Sequence, residues 1–124
     1  MRQSSTEIEI RYYVDHHGRA PLVEWMEELK DRRTRAKIRL RLDRLTRGLF
    51  GDTKALGGGI EELRIHHGPG YRIYYGRIGG VVVLLLCGGT KDRQRRDIER
   101  ARSYWVDFLE AEYGKGKAKA EQGL

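Results

Sequence analysis

The sequence predicts a single α+β domain with the element order β-α-α-β-β-β-α, in which an antiparallel sheet carries an N-terminal helical hairpin and a C-terminal helix. The chain has 124 residues, a length typical of one domain. Strand-length segments separated by glycine-rich turns follow one another between residues 60 and 89. Amphipathic helical repeats precede and follow that block, and this order favours helices packed mainly on one face of the sheet.

The N-terminal segments predict a strand and the first helix of the hairpin. Residues 7–14 alternate in polarity and are rich in β-forming side chains, which is typical of a strand. Pro21 suits the first turn of a helix, because an N–H at that position would have no helical partner. Apolar residues at helical spacing then form a stripe that we expect to be buried: Leu22, Trp25, Met26 and Leu29.

A second helix follows, and both Asp31 and Thr34 are candidates for its N-cap. The helical pattern runs to about residue 47, and Gly48 is a typical residue just beyond a helix end. The glycine-rich residues 50–59 that come next are expected to form a loop.

The segment from residue 60 to residue 89 predicts an antiparallel meander. Its strands are 60–66, 71–78 and 81–89, separated by Gly68-Pro69-Gly70 and by Gly79-Gly80. Two glycines suit a two-residue hairpin, because both positions accept a positive φ. The last strand is apolar on both faces, so we expect it to be central and covered on both sides. The N-terminal strand has no other partner and is expected to join this sheet.

Side-chain alternation along the meander separates an apolar face from a polar face. Leucine and isoleucine side chains point to one side, whereas Arg64, His66, Arg72 and Tyr74 point to the other. We expect the polar face to be open to solvent.

The C-terminal part predicts one helix and a tail. The helix begins at Asp92, whose carboxylate complements the helix dipole, and it is long enough to lie across the sheet. Residues 113–124 carry several lysines and have no core residues, so we interpret them as a disordered basic tail after a domain of residues 1–112.

The net charge of +7 predicts an anionic partner, such as nucleic acid, a membrane surface or an acidic protein. A membrane is disfavoured, since no segment approaches the ~20 apolar residues of a spanning helix. The N-terminus lacks the apolar core of a signal peptide, and the single cysteine, Cys87, cannot form an internal disulfide, so we expect a cytoplasmic protein.

The second helix carries a basic row that has two interpretations. It is either a solvated charged face, which is the usual meaning of such a run, or a docking surface for phosphates or an acidic partner. The candidate RNA-binding residues in the row are Lys37, Arg41 and Arg44.

The polar face offers groups for RNA cleavage without a metal. Such cleavage needs a base for the 2′-OH, a cation for the developing phosphorane and an acid for the leaving 5′-oxygen. Arg64 and Arg72 form a plausible phosphate fork, and Lys91 leaves the last strand towards the same end. His66 or His67 offers an imidazole, the side chain most often used in general acid–base catalysis. The alternative is that the arginines only solvate a sheet face or pair with Glu62 and other acids, and that the histidines are ordinary turn residues.

Two further residues complete the candidate site. Arg93 opens the last helix beside Lys91, and Tyr74 either stacks on a base or only covers the sheet. The histidine pairs do not predict a metal site, because adjacent strand residues point to opposite faces and no Cys, Asp or Glu completes a ligand set. We therefore expect no metal and no cofactor.

Three motifs resemble the addiction-module killer, HigB-like branch of the RelE/ParE toxin superfamily. The motifs are Leu63-Arg64-Ile65, then Gly68-Pro69-Gly70-Tyr71-Arg72-Ile73-Tyr74-Tyr75, then Gly88-Gly89-Thr90-Lys91-Asp92-Arg93-Gln94. The resemblance covers roughly residues 7–110 and implies a fold with the element order given above. By motif, the functional basic residues of the family fall on Arg64, Arg72 and Lys91. Glu62 stands in place of a second lysine, and Asp97 stands in place of a tyrosine early in the last helix.

The resemblance implies the toxin of a type II toxin–antitoxin system. Its expected activity is ribosome-dependent mRNA cleavage that inhibits translation, and its expected partners are the ribosome, mRNA and a small helix-turn-helix antitoxin encoded by a neighbouring gene. Two alternatives stay open, namely a ParE-like DNA gyrase poison and a non-catalytic nucleic-acid-binding module.

Overall fold

The computed structural model describes residues 7–114 as an α+β fold in which three helices surround a five-stranded mixed sheet. A 3-10 turn, Lys91–Arg93, precedes the last helix, and a π turn, Glu110–Gly114, follows it. The predicted tail therefore starts inside the π turn, and its residues 115–124 lie outside the described part of the chain. The main elements are β1 Glu9–Tyr12, α1 Pro21–Glu28, α2 Arg32–Thr46, β2 Thr53–Gly57, β3 Ile60–Ile65, β4 Tyr71–Ile78, β5 Val82–Thr90 and α3 Gln94–Leu109.

The sheet has the strand order β1-β5-β4-β3-β2. The antiparallel meander β3-β4-β5 and the inclusion of β1 confirm the prediction. The expectation of a wholly antiparallel sheet is wrong, because β1 pairs in parallel with β5, from Glu9 opposite Val82 to Tyr12 opposite Leu85. No hairpin joins these two strands, so local turn chemistry does not dictate their relative direction.

The expected β-α-α-β-β-β-α order is also wrong, because β2 lies where a loop was predicted. It pairs antiparallel with β3, with Thr53 opposite Leu63 and Lys54 opposite Glu62. A register shift before Gly57 interrupts the ladder. A short, mostly exposed edge strand that ends in glycines leaves little periodic signal in the sequence.

Helices cover both faces of the sheet, which contradicts the expectation that they pack mainly on one face. One core lies on the side of α1 and α2, around Ile38, Ile73 and Leu85. The second lies beneath α3, around Leu84 and Trp105. The prediction that β5 is buried on both faces is confirmed, but β4 rather than β5 is the middle strand.

The predicted turns and helix ends are largely confirmed. Asp31 is the N-cap of α2, and its carboxylate accepts hydrogen bonds from the Thr34 hydroxyl at 2.8 Å and the Arg33 N–H at 3.2 Å, which hold the pKa of Asp31 below its usual value. Gly48 follows the end of α2 with a φ of 77°. The β4–β5 connection has three residues instead of two, since Ile78 pairs with Val82.

A close approach between α3 and β4 gives a prediction about packing. A Cβ at Gly76 would lie 2.3 Å from Cζ3 of the buried Trp105. Gly76→Ala should therefore lower the free energy of unfolding by about 1–3 kcal/mol, as overpacking typically does. Urea denaturation measures the change, with Gly80→Ala as the control because a Cβ there meets nothing within 4 Å. Equal denaturation midpoints for the two variants would contradict this packing.

Within residues 7–114, no helix combines the length and the apolar character needed to cross a membrane.

Candidate functional site

Arg64 and Arg72 lie directly opposite each other on β3 and β4, as the side-chain alternation predicted. Both contact the carboxylate of Glu62. The Arg64 Nε donates a hydrogen bond to Glu62 Oε1 at 2.9 Å, and the Arg72 Nε forms a longer ion pair with the same oxygen at 3.7 Å. The two candidate arginines therefore share one acidic partner.

Glu62 is fully buried, with 0% of its surface exposed. Its second oxygen, Oε2, accepts a hydrogen bond from the Nε2 of Gln94, the first residue of α3. The carboxylate thereby connects two strands of the sheet to the beginning of the helix that covers them.

Lys91 lies at the same end of the sheet, where Gly70 separates it from Arg72. The Lys91 N–H donates to the Gly70 carbonyl at 2.9 Å. A Cβ at Gly70 would lie 3.3 Å from Lys91 Cβ and 3.7 Å from Arg72 Nη1. The structure thus brings together three of the four predicted catalytic residues, and we call Arg64, Arg72 and Lys91 the basic cluster.

Members of the basic cluster differ in their access to solvent. The expectation of an open polar face is wrong, because α3 covers it and leaves Arg72 only 5% exposed. Arg72 Nη1 donates to the carbonyl of Tyr71 at 3.1 Å. The side chain of Arg64 is 29% exposed and Lys91 is exposed, so these two residues present the cluster to solvent.

Tyr74 is fully buried beneath α3, so it covers the sheet and cannot stack on a base. Burial raises its pKa, and the nearby carboxylates of Glu62 and Asp97 raise it further. Its hydroxyl has no hydrogen-bond partner within residues 7–114.

Asp97 belongs to the same buried polar layer. Its carboxylate packs against Gly89, which pairs with Arg72 across the β4–β5 ladder, and a Cβ at Gly89 would overlap it. Asp97 Oδ1 accepts from Arg100 Nη1 at 3.3 Å. Its Oδ2, like the Arg72 Nε, forms no hydrogen bond to the described part of the protein.

The two neighbouring histidines, His66 and His67, contact different acidic residues. His66 is exposed, and its Nε2 lies 2.5 Å from Asp52 Oδ2, a contact that lowers the pKa of Asp52. The His67 Nε2 lies 3.9 Å from Asp31 Oδ2, and its ring stacks on Tyr71 with a centroid separation of 6.5 Å. His66 and His67 follow the end of β3 at Ile65, so the strand alternation no longer sets the directions of their side chains.

Arg41 is a structural residue and not a free phosphate ligand. Its guanidinium donates to the carbonyl oxygens of Arg64 at 2.5 Å, Phe50 at 3.1 Å and Asp52 at 3.4 Å. Burial lowers the pKa of Arg41. These bonds tie α2 to the chain before β2, so the RNA-binding role predicted for Arg41 is not supported.

The remaining candidate RNA-binding residues are on the surface. Lys37 and Arg44 are exposed on α2, four residues before and three residues after Arg41, so they share its side of the helix. Arg93 is exposed at the start of α3, within the 3-10 turn that begins at Lys91.

Cys87 is buried at the β5–α3 interface, and burial raises the pKa of its thiol to about 12. The thiol therefore stays protonated at neutral pH, as expected of a small core residue. Within residues 7–114, no three His, Cys, Asp or Glu side chains are grouped so that they could hold a metal ion.

Two residues that contact the candidate groups, Gln94 and Asp52, had no assigned role in the sequence interpretation. Glu62, by contrast, was the acidic partner that the alternative interpretation gave to Arg64 and Arg72, and that pairing is confirmed. Gln94 and Asp52 carried no such signal. Gln94 contacts β3 from the start of α3, and Asp52 lies in the segment that was expected to be a loop.

No family model matches the chain. Over 78 residues it is 50% identical to an uncharacterized protein of Haemophilus influenzae, and the match covers 63% of this chain and 79% of that protein. The name of this relative assigns no activity.

Proposed function

The chain belongs to the same family as this uncharacterized protein of Haemophilus influenzae, and we propose that it is the toxin of a type II toxin–antitoxin system with a RelE/ParE-like fold. Its proposed activity is metal-independent cleavage of ribosome-bound mRNA. The motif resemblance through Arg64, Arg72 and Lys91 supports the class.

The observation that carries the proposal is the position of the basic cluster. Arg64 stands directly opposite Arg72 and keeps part of its side chain exposed, and exposed Lys91 lies on the other side of Arg72. Planar guanidinium groups suit bidentate contact with phosphate oxygens. Cations held rigidly on strands stabilise developing phosphorane charge without reorganisation during the reaction.

The proposed reaction is an internal transesterification. The 2′-oxygen attacks phosphorus, the bond to the 5′-oxygen breaks, and the products are a 2′,3′-cyclic phosphate and a 5′-hydroxyl. We assign acceptance of the 2′-OH proton to His66, since Asp52 contacts its ring and His66 follows β3 two residues after Arg64. Lys91 is the cluster member suited to donate a proton to the leaving oxygen.

The proposed partner is a helix-turn-helix antitoxin encoded by a neighbouring gene, and the proposed location is the cytoplasm. The net charge of +7 and the exposed cations of α2 and α3 support an acidic partner segment. Lys37, Arg44 and Arg93 are the proposed RNA contacts outside the cluster.

Expression of the chain alone should arrest growth, and coexpression of the neighbouring antitoxin should restore it. Mapping of RNA 5′ ends soon after induction should show new ends at defined positions inside translated messages. A DNA-damage reporter run in parallel should stay silent. Harmless expression of the folded protein would contradict the toxin proposal, and arrest without new RNA ends would contradict the nuclease activity.

A ParE-like gyrase poison is the second candidate. The observation in its favour is that Glu62 neutralises part of the arginine pair, while Asp97 occupies the position at which the known nucleases place a tyrosine. In that case the reporter should respond while transcripts remain intact. Binding to nucleic acid without growth arrest would indicate the third alternative, a non-catalytic binding module.

A further inference from the structure

Glu62 is an unfavourable residue to bury unless it has a specific role. It is 0% exposed and pairs across the β3–β4 ladder with the fully buried Tyr74. A buried ion pair often stabilises a protein no more than apolar residues of similar volume would. Fold stability alone therefore gives little reason for a carboxylate at this position.

The contacts of Glu62 are directional. It binds Arg64 through Nε, at 2.9 Å, and faces the Nε of Arg72 at 3.7 Å. A guanidinium held at Nε has a fixed plane and keeps its terminal amino groups available. Those of Arg64 form no hydrogen bond to any residue from 7 to 114, so they are available for a phosphate.

The same carboxylate also acts indirectly on Lys91, the third member of the basic cluster. Glu62 Oε2 accepts from Gln94, which stands three residues after Lys91 across the 3-10 turn. Fixing Gln94 fixes the start of α3 and, with it, the backbone from which Lys91 projects. Glu62 thus contacts two of the cations directly and fixes the backbone beside the third.

We propose that Glu62 is a positioning residue that holds Arg64, Arg72 and Lys91 as one preorganised phosphate-binding group. The ligand class is a phosphodiester or free phosphate. The consequence for RNA cleavage rests on the proposed function, whereas the consequence for phosphate binding does not.

Electrostatics and positioning predict opposite results for Glu62→Gln. The variant has one more net positive charge beside the arginines, so charge alone would strengthen phosphate binding. Positioning predicts weaker binding, because a neutral amide holds the guanidinium groups less firmly. Glu61→Gln is the matched control, since it makes the same charge change on the same strand but pairs with Tyr75 and Arg77 on the opposite face.

Titration with inorganic phosphate, followed through the NMR signals of the arginine Nε–H groups, tests the proposal. In Glu62→Gln the Arg64 signal should move towards that of a free arginine, and phosphate affinity should fall below wild type. Glu61→Gln should change neither. Cleavage of ribosome-bound message by Glu62→Gln should fall about 10²-fold, the effect expected when a reacting group is misplaced by ~1 Å.

A second variant keeps the test informative if Glu62→Gln does not fold. Glu62→Asp preserves the charge but shortens the side chain, so positioning again predicts weaker phosphate binding. Phosphate affinity at or above wild type in a folded variant would overturn the proposal. If the wild type binds phosphate but leaves message intact, the proposed function fails, and the phosphate titration still decides the role of Glu62.

Discussion

Glu62→Ala is expected to lower the free energy of unfolding by about 3–5 kcal/mol, the loss typical of removing one partner of a buried ion pair. The substitution leaves the charge of Arg72 at 5% exposure, with the Tyr71 carbonyl as its remaining hydrogen-bond acceptor in residues 7–114. It also removes the acceptor of Gln94. Urea denaturation followed by circular dichroism measures the loss as a lower midpoint at an unchanged slope.

Two controls separate this effect from the removal of any glutamate. Glu61→Ala changes the same residue type on the same strand, but its side chain is 23% exposed and its loss should have a smaller effect. The double variant Glu62→Leu/Arg72→Met removes both buried charges and should recover most of the lost stability. Equal midpoints for Glu61→Ala and Glu62→Ala would show that the buried ion pair is not what stabilises this layer.

Arg64→Ala is expected to reduce cleavage of ribosome-bound message by about 10²–10³-fold, as loss of a preorganised donor to the transition state does. Arg64 is the more exposed arginine of the basic cluster, so its terminal groups can reach a phosphate. The variant should stay folded, because Glu62 keeps its contacts with Arg72 and Gln94. Single-turnover cleavage with purified ribosomes measures the rate.

Arg77→Ala is the matched control for this experiment. Arg77 is also a strand arginine paired with a glutamate of β3, and its side chain is 36% exposed, but it lies at the opposite end of β4 from Arg72. Its loss should leave cleavage close to wild type. An equal fall in both variants would indicate general electrostatic attraction, and an unchanged rate in Arg64→Ala would remove Arg64 from the catalytic group.

On an open polar face, which the sequence predicted, Arg72→Ala would stay folded and would test catalysis directly. Burial changes that expectation. Removing Arg72 empties a site between the sheet and α3 and takes one cation from the buried Glu62. Loss of activity in Arg72→Ala would therefore combine unfolding with lost chemistry, whereas Arg64 and Lys91 report on chemistry more directly.

Local patterns in the sequence correctly predicted much of the fold. The period-2 alternation placed Arg64 and Arg72 side by side, and the apolar run of β5 indicated a strand covered on both faces. The N-cap at Asp31 and the glycine after α2 followed from the conformations those residues favour. Each of these features depends on a few neighbouring residues, so a single sequence carries the information.

Features that involve distant segments could not be predicted in the same way. The parallel direction of β1, the edge strand β2 and the cover provided by α3 all depend on which elements pack together. The burial of Tyr74 and the carbonyl contacts of Arg41 follow from that packing. Side-chain type alone made both residues resemble solvent-exposed ligands.

The sequence by itself determined which side chains share a face of the sheet, because alternation along a strand is a property of the backbone. Only the tertiary structure decided which face is exposed. Glu62 and Gln94 are 32 positions apart, and their contact exists because α3 docks across the polar face. The free energy of docking one element on another depends on the total apolar area that the two elements bury, and no local sequence repeat encodes that area. Because α3 docks there, the polar face that we expected to be open is covered, and the buried Glu62 carboxylate holds Arg64 and Arg72 on that face of the sheet.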